Sequence, residues 1–210
     1  MTARPPWMGE MQEFRLRSAT PADRSLIERF LATMDRAGLY ERHFSHGEGP
    51  NLALLQRVDR IDHRDRVTIL ALGHDGEVVG HGEYVAQDGA AEFALMVLPR
   101  FRARGIGRRL LRALLDIATA TGQRTLHGMI QATNARALKL AADCGLRPQP
   151  SGDRTVVIVS RALIASAAAT APAGLAAIAA GNPIPIVRHD PDRTPLHRRT
   201  GPGAPLRARG

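Results

Sequence analysis

An arginine-rich turn with two glycines separates an apolar stretch from a helical pattern in this sequence. Glycine lets a backbone approach a ligand closely, and the N–H groups at a helix start point outward with the positive end of the helix dipole. Arginines add charge-assisted donors, so the turn suits a pyrophosphate. The residues that we expect to bind it are Arg102, Ala103, Arg104, Gly105, Ile106, Gly107 and Arg108.

This turn differs from two common phosphate-binding motifs. No Gly-Lys-Ser/Thr follows its glycines, which excludes a P-loop, and the third glycine of the dinucleotide-binding motif is absent. Arginine is abundant throughout the chain, where Lys139 is the one lysine among 29 Lys and Arg residues. A surface turn that is rich in arginine by composition is therefore the alternative explanation.

The elements around the turn follow an α+β order: a strand, one or two helices, three mostly antiparallel strands, then alternating helices and strands. Helices are predicted after Thr20, over Asn51–Arg60, from Ile106 to Gly122 and over Asn134–Cys144. Strands are predicted over Glu13–Arg17, Val67–Leu72, Glu77–Val85, Glu92–Leu98, Thr125–Ile130 and Thr155–Ser160. The turn thus lies between a strand and the helix that follows it.

Composition divides the 210 residues into three parts. We expect a flexible extension over residues 1–11, one compact domain over residues 12–163, and an Ala-rich linker with a disordered Pro/Arg-rich tail over residues 164–210. The net charge is +9, but the tail supplies six arginines and no aromatic residue. Such a tail gives at most non-specific, salt-sensitive binding, so we expect no specific nucleic-acid partner.

Cysteine usage and hydropathy indicate a cytoplasmic protein. A single cysteine excludes a disulfide framework and multi-cysteine metal sites, and it fits a reducing compartment. The first eleven residues lack the apolar region of a secretory signal. Residues 163–180 are uncharged but mainly Ala, interrupted by Pro172 and Gly174, so we expect no membrane span.

The pattern Arg102-x-x-Gly105-x-Gly107, between an apolar strand and an amphipathic helix, resembles the acetyl-CoA signature of the GNAT superfamily of N-acetyltransferases. Asn134, which opens a helix after the next strand, is similar to a residue of that superfamily's second conserved segment. The resemblance covers residues 14–160. It implies a mixed, mostly antiparallel central sheet flanked by helices, with acetyl-CoA as the acetyl donor and no metal.

Three further segments resemble the catalytic domain of bacterial protein lysine acetyltransferases that modify acyl-CoA synthetases. They are Leu39-Tyr40-x-Arg42-x-Phe44, Leu54–Asp62 and Ala91-Glu92-Phe93-Ala94. This closer resemblance implies that the acceptor is a lysine side chain of another protein.

The resemblance implies direct attack of a primary amine on the thioester, which requires a base. A lysine ammonium has a pKa near 10.4, so about one molecule in a thousand is nucleophilic at neutral pH. We prefer Glu92 as the base, because the GNAT base lies on the strand that leads into the phosphate-binding turn. Its sequence neighbours Phe93 and Leu95 are expected to desolvate it. The alternative for Glu92 is an exposed carboxylate at a strand edge.

Glu83 is the rival base, with His81 on the same face of the neighbouring strand. For this pair a solvated polar face is the alternative explanation.

The resemblance also implies further roles for the chain. A backbone N–H near Met96 or Val97 would bind the oxyanion, provided that the strand separates from its neighbour and lets the pantetheine arm pair with it. Ala141 stands where many GNAT enzymes have a tyrosine acid, which implies that solvent protonates the thiolate. Asn134 is predicted to cap a helix and to contact the pantetheine amide.

The remaining candidate side chains have structural explanations. Cys144 in the last turn of a helix is expected to be a buried small side chain. His43-x-x-His46 lacks a third ligand at a suitable spacing, so no metal site is expected. Tyr40 and Phe44 are expected to lie in the core or in the substrate groove.

The sequence thus predicts an acetyl-CoA-dependent N-acetyltransferase that acts on a primary amine, preferably a protein lysine. A small-molecule amine is the alternative acceptor, although the +9 charge disfavours polyamines. A non-catalytic sensor that binds acyl-CoA is the alternative from another class, and the missing tyrosine motivates it.

Overall fold

The computed structural model describes residues 14–34 and 52–163, in which seven strands form a single sheet of order β1-β2-β3-β4-β5-β7-β6. The strands are β1 (Arg15–Ser18), β2 (Arg66–Leu72), β3 (Val78–Gln87), β4 (Ala90–Val97), β5 (Thr125–Gln131), β6 (Arg147–Gln149) and β7 (Val156–Ala162). The helices are α1 (Arg24–Ala32), α2 (Leu52–Val58), α3 (Ile106–Ala120) and α4 (Ala135–Asp143). All neighbouring strands run antiparallel except β4 and β5. The predicted α+β fold with a mixed, mostly antiparallel sheet is confirmed.

Local sequence signals set the start of α1. Thr20 and Asp23 form a capping box, in which the Asp23 carboxylate accepts from the Thr20 N–H at 2.9 Å. Pro21 occupies the first position of the 3₁₀ turn that leads into the helix, where its missing N–H costs nothing. Arg17 of β1 donates to the same Asp23 carboxylate through both terminal nitrogens, at 2.6 and 2.8 Å. The chain reversal between β1 and α1 is therefore fixed by one carboxylate.

Helix α3 packs on the middle of the sheet through its apolar stripe. Ile106, Leu110 and Leu114 are at most 2% exposed. A Cβ at Gly80 of β3 would lie 2.9 Å from Ile106 Cγ2, and one at Gly82 would lie 3.4 Å from Leu114 Cδ1. The helix can approach β3 this closely because β3 has glycine at both positions beneath it.

The opposite face of the sheet carries α1 and α2. The Phe30 ring of α1 stacks on His81 with the ring centroids 6.2 Å apart, and Arg57 of α2 donates to Glu83 at 3.0 Å. Because side chains alternate along a strand, β3 residues 81 and 83 face α1 and α2, whereas residues 80 and 82 face α3. Paired residues of β3 and β4 project from the same face, so β4 residues 92, 94 and 96 also lie on the α1/α2 face.

The predicted elements match the observed ones to within a few residues. One strand was missed: β6, a three-residue edge strand that contains Pro148. The proposed extension over residues 1–11 and the tail over residues 164–210 lie outside the described residues. In the described ranges, no helix has the length and apolar character needed to cross a membrane.

Candidate active site

Strands β4 and β5 separate beside the predicted site. They are the only parallel neighbours in the described sheet, and they pair over three residues, ending where Glu92 lies opposite His127. Beyond this last pair β4 continues for five residues (93–97) and β5 for four (128–131), and within the described sheet these segments do not pair with each other. We call the opening between them the β4–β5 gap. The strand separation that the sequence analysis required is present.

Backbone groups of β4 that point away from β3 face the β4–β5 gap. The Leu98 N–H donates to the Val79 carbonyl of β3 at 3.0 Å. Amide directions alternate along a strand, so the Met96 N–H also points to β3, while the Val97 N–H points into the gap. Of the two residues predicted to supply an oxyanion donor, Val97 is the one whose N–H has the required direction.

The turn that follows β4 contains two left-handed residues. Ala103 has φ +64° and Gly105, the N-cap of α3, has φ +80°. Such alternation makes successive backbone N–H groups converge into an anion-binding concavity, and the first N–H groups of α3 have no acceptor within the helix. A Cβ built on Gly105 would meet nothing within 4 Å. The turn therefore has open space at Gly105 and backbone donors at a helix start, which fit a diphosphate at the mouth of the β4–β5 gap.

Gly107, the second glycine of the motif, has a different role. A Cβ at this position would lie 3.2 Å from Leu140 Cδ2 of α4 and 3.9 Å from Val97 Cγ2. Gly107 thus allows α4 to approach the first turn of α3. Its neighbour Ile106 is 2% exposed and anchors the same turn to the sheet.

Two arginines of the turn lie close to the gap. Arg102 Nε donates a hydrogen bond to the Val97 carbonyl at 3.3 Å. This carbonyl faces the gap, as does the Val97 N–H. The Arg104 guanidinium lies over the ring of Phe101, 5.3 Å from its centroid. Arg102 is therefore held at the gap, and Arg104 is held against the ring of Phe101.

Two other arginines of the segment are neutralised by carboxylates. Arg108 donates to Asp143 of α4 at 2.6 Å, and Arg100 donates to Glu77 at 2.6 Å. These pairs are exposed and contribute little to stability. Arg108 was predicted to bind the pyrophosphate through its side chain as well, but its charge is shared with Asp143, so its N–H is the better donor.

Glu92 lies at the closed end of the β4–β5 gap. Its side chain is exposed on the α1/α2 face of the sheet, and it stands on an inner strand between Val85 of β3 and His127 of β5. The expected desolvation by Phe93 and Leu95 is wrong, because side chains alternate and these two face α3. Glu92 is therefore a carboxylate that is accessible from the sheet face.

Glu83 and His81, the rival pair, are buried rather than solvated. Their exposed fractions are 3% and 0%, so the prediction of a solvated polar face is wrong. Helices α1 and α2 cover them, and the Glu83 carboxylate forms an ion pair with the Arg57 guanidinium. Glu83 is therefore not accessible to a substrate amine that approaches from solution.

Helix α4 begins after Asn134, where the sequence resembles the second segment of GNAT enzymes. Asn134 caps it, accepting from the Ala137 N–H at 3.0 Å, which confirms the predicted capping role. Ala141 is 1% exposed, so no proton donor stands at this position. Cys144 is buried as expected, and burial raises the pKa of its thiol.

Several predicted residues lie outside the described part of the chain: Tyr40, Arg42, His43, Phe44 and His46. Among the described residues, no group of three or more His, Cys, Asp or Glu side chains is placed to bind a metal ion. His127 is not predictable from the sequence, because its position opposite Glu92 depends on a strand pairing that local patterns do not reveal.

Comparison with known proteins agrees with this geometry. Residues 32–146, more than half of the chain, match the model of the Acetyltransferase (GNAT) family. The chain is 25% identical over 163 residues to Acetyltransferase PA5475 of Pseudomonas aeruginosa. The aligned region covers 74% of this chain and 88% of that protein.

Two solved structures share the fold. The GNAT domain of PAT from S. lividans superimposes with a TM-score of 0.66 at 23% identity, covering 71% of this chain and 90% of that chain. A phosphinothricin acetyltransferase from Sinorhizobium meliloti, solved in complex with acetyl-CoA, gives a TM-score of 0.61 at 21% identity, covering 74% and 91%.

The mixed sheet, the β4–β5 gap and the glycine turn at its mouth define an acyltransferase fold built for a coenzyme A thioester. The chain belongs to the GNAT family. It is an acetyl-CoA-dependent acetyltransferase.

Proposed function

We propose that this enzyme transfers the acetyl group of acetyl-CoA to the amine of a lysine side chain in another protein, with Glu92 as the general base. The observation that carries the proposal is the position of Glu92, exposed on the last residue pair that closes the β4–β5 gap. A base at this point meets an acceptor that approaches from the α1/α2 face while the donor lies in the gap.

The donor is held by backbone groups more than by side chains. The N–H groups of residues 103–108 would bind the diphosphate, with Arg102 and Arg104 as cationic neighbours. The pantetheine arm would lie in the β4–β5 gap and Asn134 would contact its amide. The Val97 N–H would stabilise the oxyanion that forms when the amine attacks.

The shape of the acceptor face supports a protein substrate. Glu92 is exposed, and Met129 of β5, on the same face beyond the closing pair, is 51% exposed. Within residues 14–34 and 52–163, the sheet face at Glu92 and Met129 is exposed, which would admit a lysine from a folded surface, and the methionine offers an adaptable apolar contact. The segment Ala91–Ala94, which resembles protein lysine acetyltransferases, lies in β4 and contains the base.

A small-molecule amine is the second candidate acceptor. The observation that favours it is the similarity to the phosphinothricin acetyltransferase, whose name states a small acceptor. The net charge of +9 disfavours polycationic amines, because like charges repel.

Glu92→Gln tests the base. We expect turnover to fall at least about 100-fold, the range for loss of a general base, while the Kd for acetyl-CoA in calorimetry is unchanged. Glu28→Gln, an exposed glutamate on α1, is the matched control and should keep full turnover. Full activity in Glu92→Gln would remove Glu92 from the mechanism, and binding of acetyl-CoA without turnover on any amine would favour a sensor.

The acceptor is identified with labelled acetyl-CoA. The protein is incubated with purified acyl-CoA synthetases and, separately, with a panel of small amines, and labelled positions are located by mass spectrometry. Label on one lysine that disappears with Glu92→Gln supports the proposal. Turnover confined to small amines would assign the second candidate instead.

A further inference from the structure

Four polar residues form a straight row across the sheet beside the proposed base. Glu92 of β4 lies opposite His127 of β5, His127 lies opposite Ser160 of β7, and Ser160 lies opposite Arg147 of the edge strand β6. Residues in register project from the same face, so the row runs from the closed end of the β4–β5 gap to the edge of the sheet. We call these residues the polar row.

Glu92 and His127 are accessible members of the polar row and are neighbours in the pairing of β4 with β5. Glu92 is exposed and His127 half-buried. Neighbouring strands are about 4.8 Å apart, so a carboxylate and an imidazole at paired positions can reach each other through one hydrogen bond or one water. Ser160 is half-buried and Arg147 exposed, so the row is exposed at both ends and half-buried in the middle.

A tight contact on the opposite face fixes the register of this pair. Phe93 follows Glu92 and Gly128 follows His127, and a Cβ at Gly128 would lie 2.7 Å from Phe93 Cε1. The aromatic ring thus packs directly on the backbone of β5, one residue beyond the pair. Side chains whose backbones are held this rigidly are well suited to proton transfer, which requires correct geometry.

We propose that His127 is the proton relay of Glu92. This inference rests on the proposed function, in which Glu92 is the base. His127 acts through Glu92 and is therefore a positioning residue. It returns the carboxyl group to its anionic form after each proton abstraction and holds it toward the acceptor face.

In this relay a proton passes from the acceptor amine to Glu92, then to His127 and then to water. An N–H bond of the acceptor breaks, its electron pair stays on nitrogen, and an O–H bond forms on the Glu92 carboxylate. That O–H bond then breaks as the neutral imidazole of His127 forms a new N–H bond. The imidazolium loses this proton to water, directly or by way of the Ser160 hydroxyl, and both residues are restored.

The test compares two variants at this position. His127→Gln keeps hydrogen-bonding capacity but cannot carry a proton, whereas His127→Ala leaves space for a free imidazole molecule. We expect kcat to fall about tenfold or more in both, with the Kd for acetyl-CoA and the melting temperature unchanged. Added imidazole should restore kcat in His127→Ala. The control is His74→Ala, an exposed histidine in the β2–β3 turn, whose kcat should be normal and insensitive to imidazole.

A normal kcat in His127→Gln, or a loss in His127→Ala that imidazole does not restore, would overturn the relay. Imidazole should not restore Glu92→Gln, since the base itself is missing there. An active Glu92→Gln would remove Glu92 as the base, the part of the proposed function on which the relay rests. An inactive Glu92→Gln together with a normal His127→Gln would refute the relay alone.

Discussion

The ring of Phe93 lies against Gly128 so closely that a Cβ added to the glycine would be 2.7 Å from the ring carbon Cε1. This contact joins β4 to β5 at the point where their pairing ends. It lies on the α3 side of the sheet, behind the pair formed by Glu92 and His127. The width of the β4–β5 gap near its closed end therefore depends on the absence of a side chain at residue 128.

Gly128→Ala should move the two strands. We expect a loss of about 1–3 kcal/mol in the free energy of unfolding by denaturant, because the added carbon must displace an aromatic ring against backbone. The Kd for acetyl-CoA should also rise. Phe93→Leu combined with Gly128→Ala should recover part of both losses. Gly152→Ala, with nothing within 4 Å of the added carbon, is the control and should be neutral.

Gly105→Ala should affect both stability and donor binding. The left-handed conformation of residue 105 costs a side chain about 1–2 kcal/mol. Gly122, just beyond the other end of α3, has φ +81° and the same open surroundings, so Gly122→Ala should lose a similar amount. Calorimetry should show weaker acetyl-CoA binding in Gly105→Ala alone. Equal binding in the two variants would contradict a diphosphate site at the turn.

Glu83→Gln should destabilise the protein without impairing catalysis. It leaves the Arg57 guanidinium without its buried carboxylate, at a cost of about 1–3 kcal/mol. The loss is moderated because Arg57 is partly exposed. Turnover per folded molecule should be normal, since Glu92 is the proposed base. Glu77→Gln, which breaks the exposed pair with Arg100, should change the unfolding free energy by less than about 1 kcal/mol. A loss of turnover in a folded Glu83→Gln variant would make Glu83 a candidate for the general base again.

Asp23 should make stability depend on acid pH. Hydrogen bonds from the Arg17 guanidinium hold the pKa of the Asp23 carboxyl below its usual value. The carboxylate form is therefore favoured in the folded state, and its contribution is complete above the unfolded pKa of about 3.9. That contribution disappears as the pH falls through the lowered folded pKa. Urea unfolding between neutral and acid pH should show a smaller loss of stability in Asp23→Asn than in the native protein. An identical pH dependence would contradict the assignment.

Much of the fold follows from local signals in the sequence. The Thr20–Asp23 capping box starts α1, and the two glycines before the Ile106 stripe mark the start of α3. The edge strand β6 was missed because three exposed residues including Pro148 carry no alternation of polar and apolar side chains.

The parts of the site that were predictable are those that residue types set locally. The turn at Gly105 and the N-cap at Asn134 follow from residue types. The burial of Glu83 depends on α2 and Arg57, which approach from a distant part of the chain. The position of His127 opposite Glu92 depends on pairing between strands that are separated by a whole helix. Local patterns contain neither relationship.

The three-residue junction between β4 and β5 divides the sheet into two lobes, β1 to β4 and β5 with β7 and β6. So short a junction can serve as a hinge. A thioester substrate whose arm contacts both sides of the β4–β5 gap would then restrict the motion of one lobe relative to the other. Amide hydrogen exchange in β5 and β7 should slow when the donor binds, and the two lobes should then unfold as one cooperative unit.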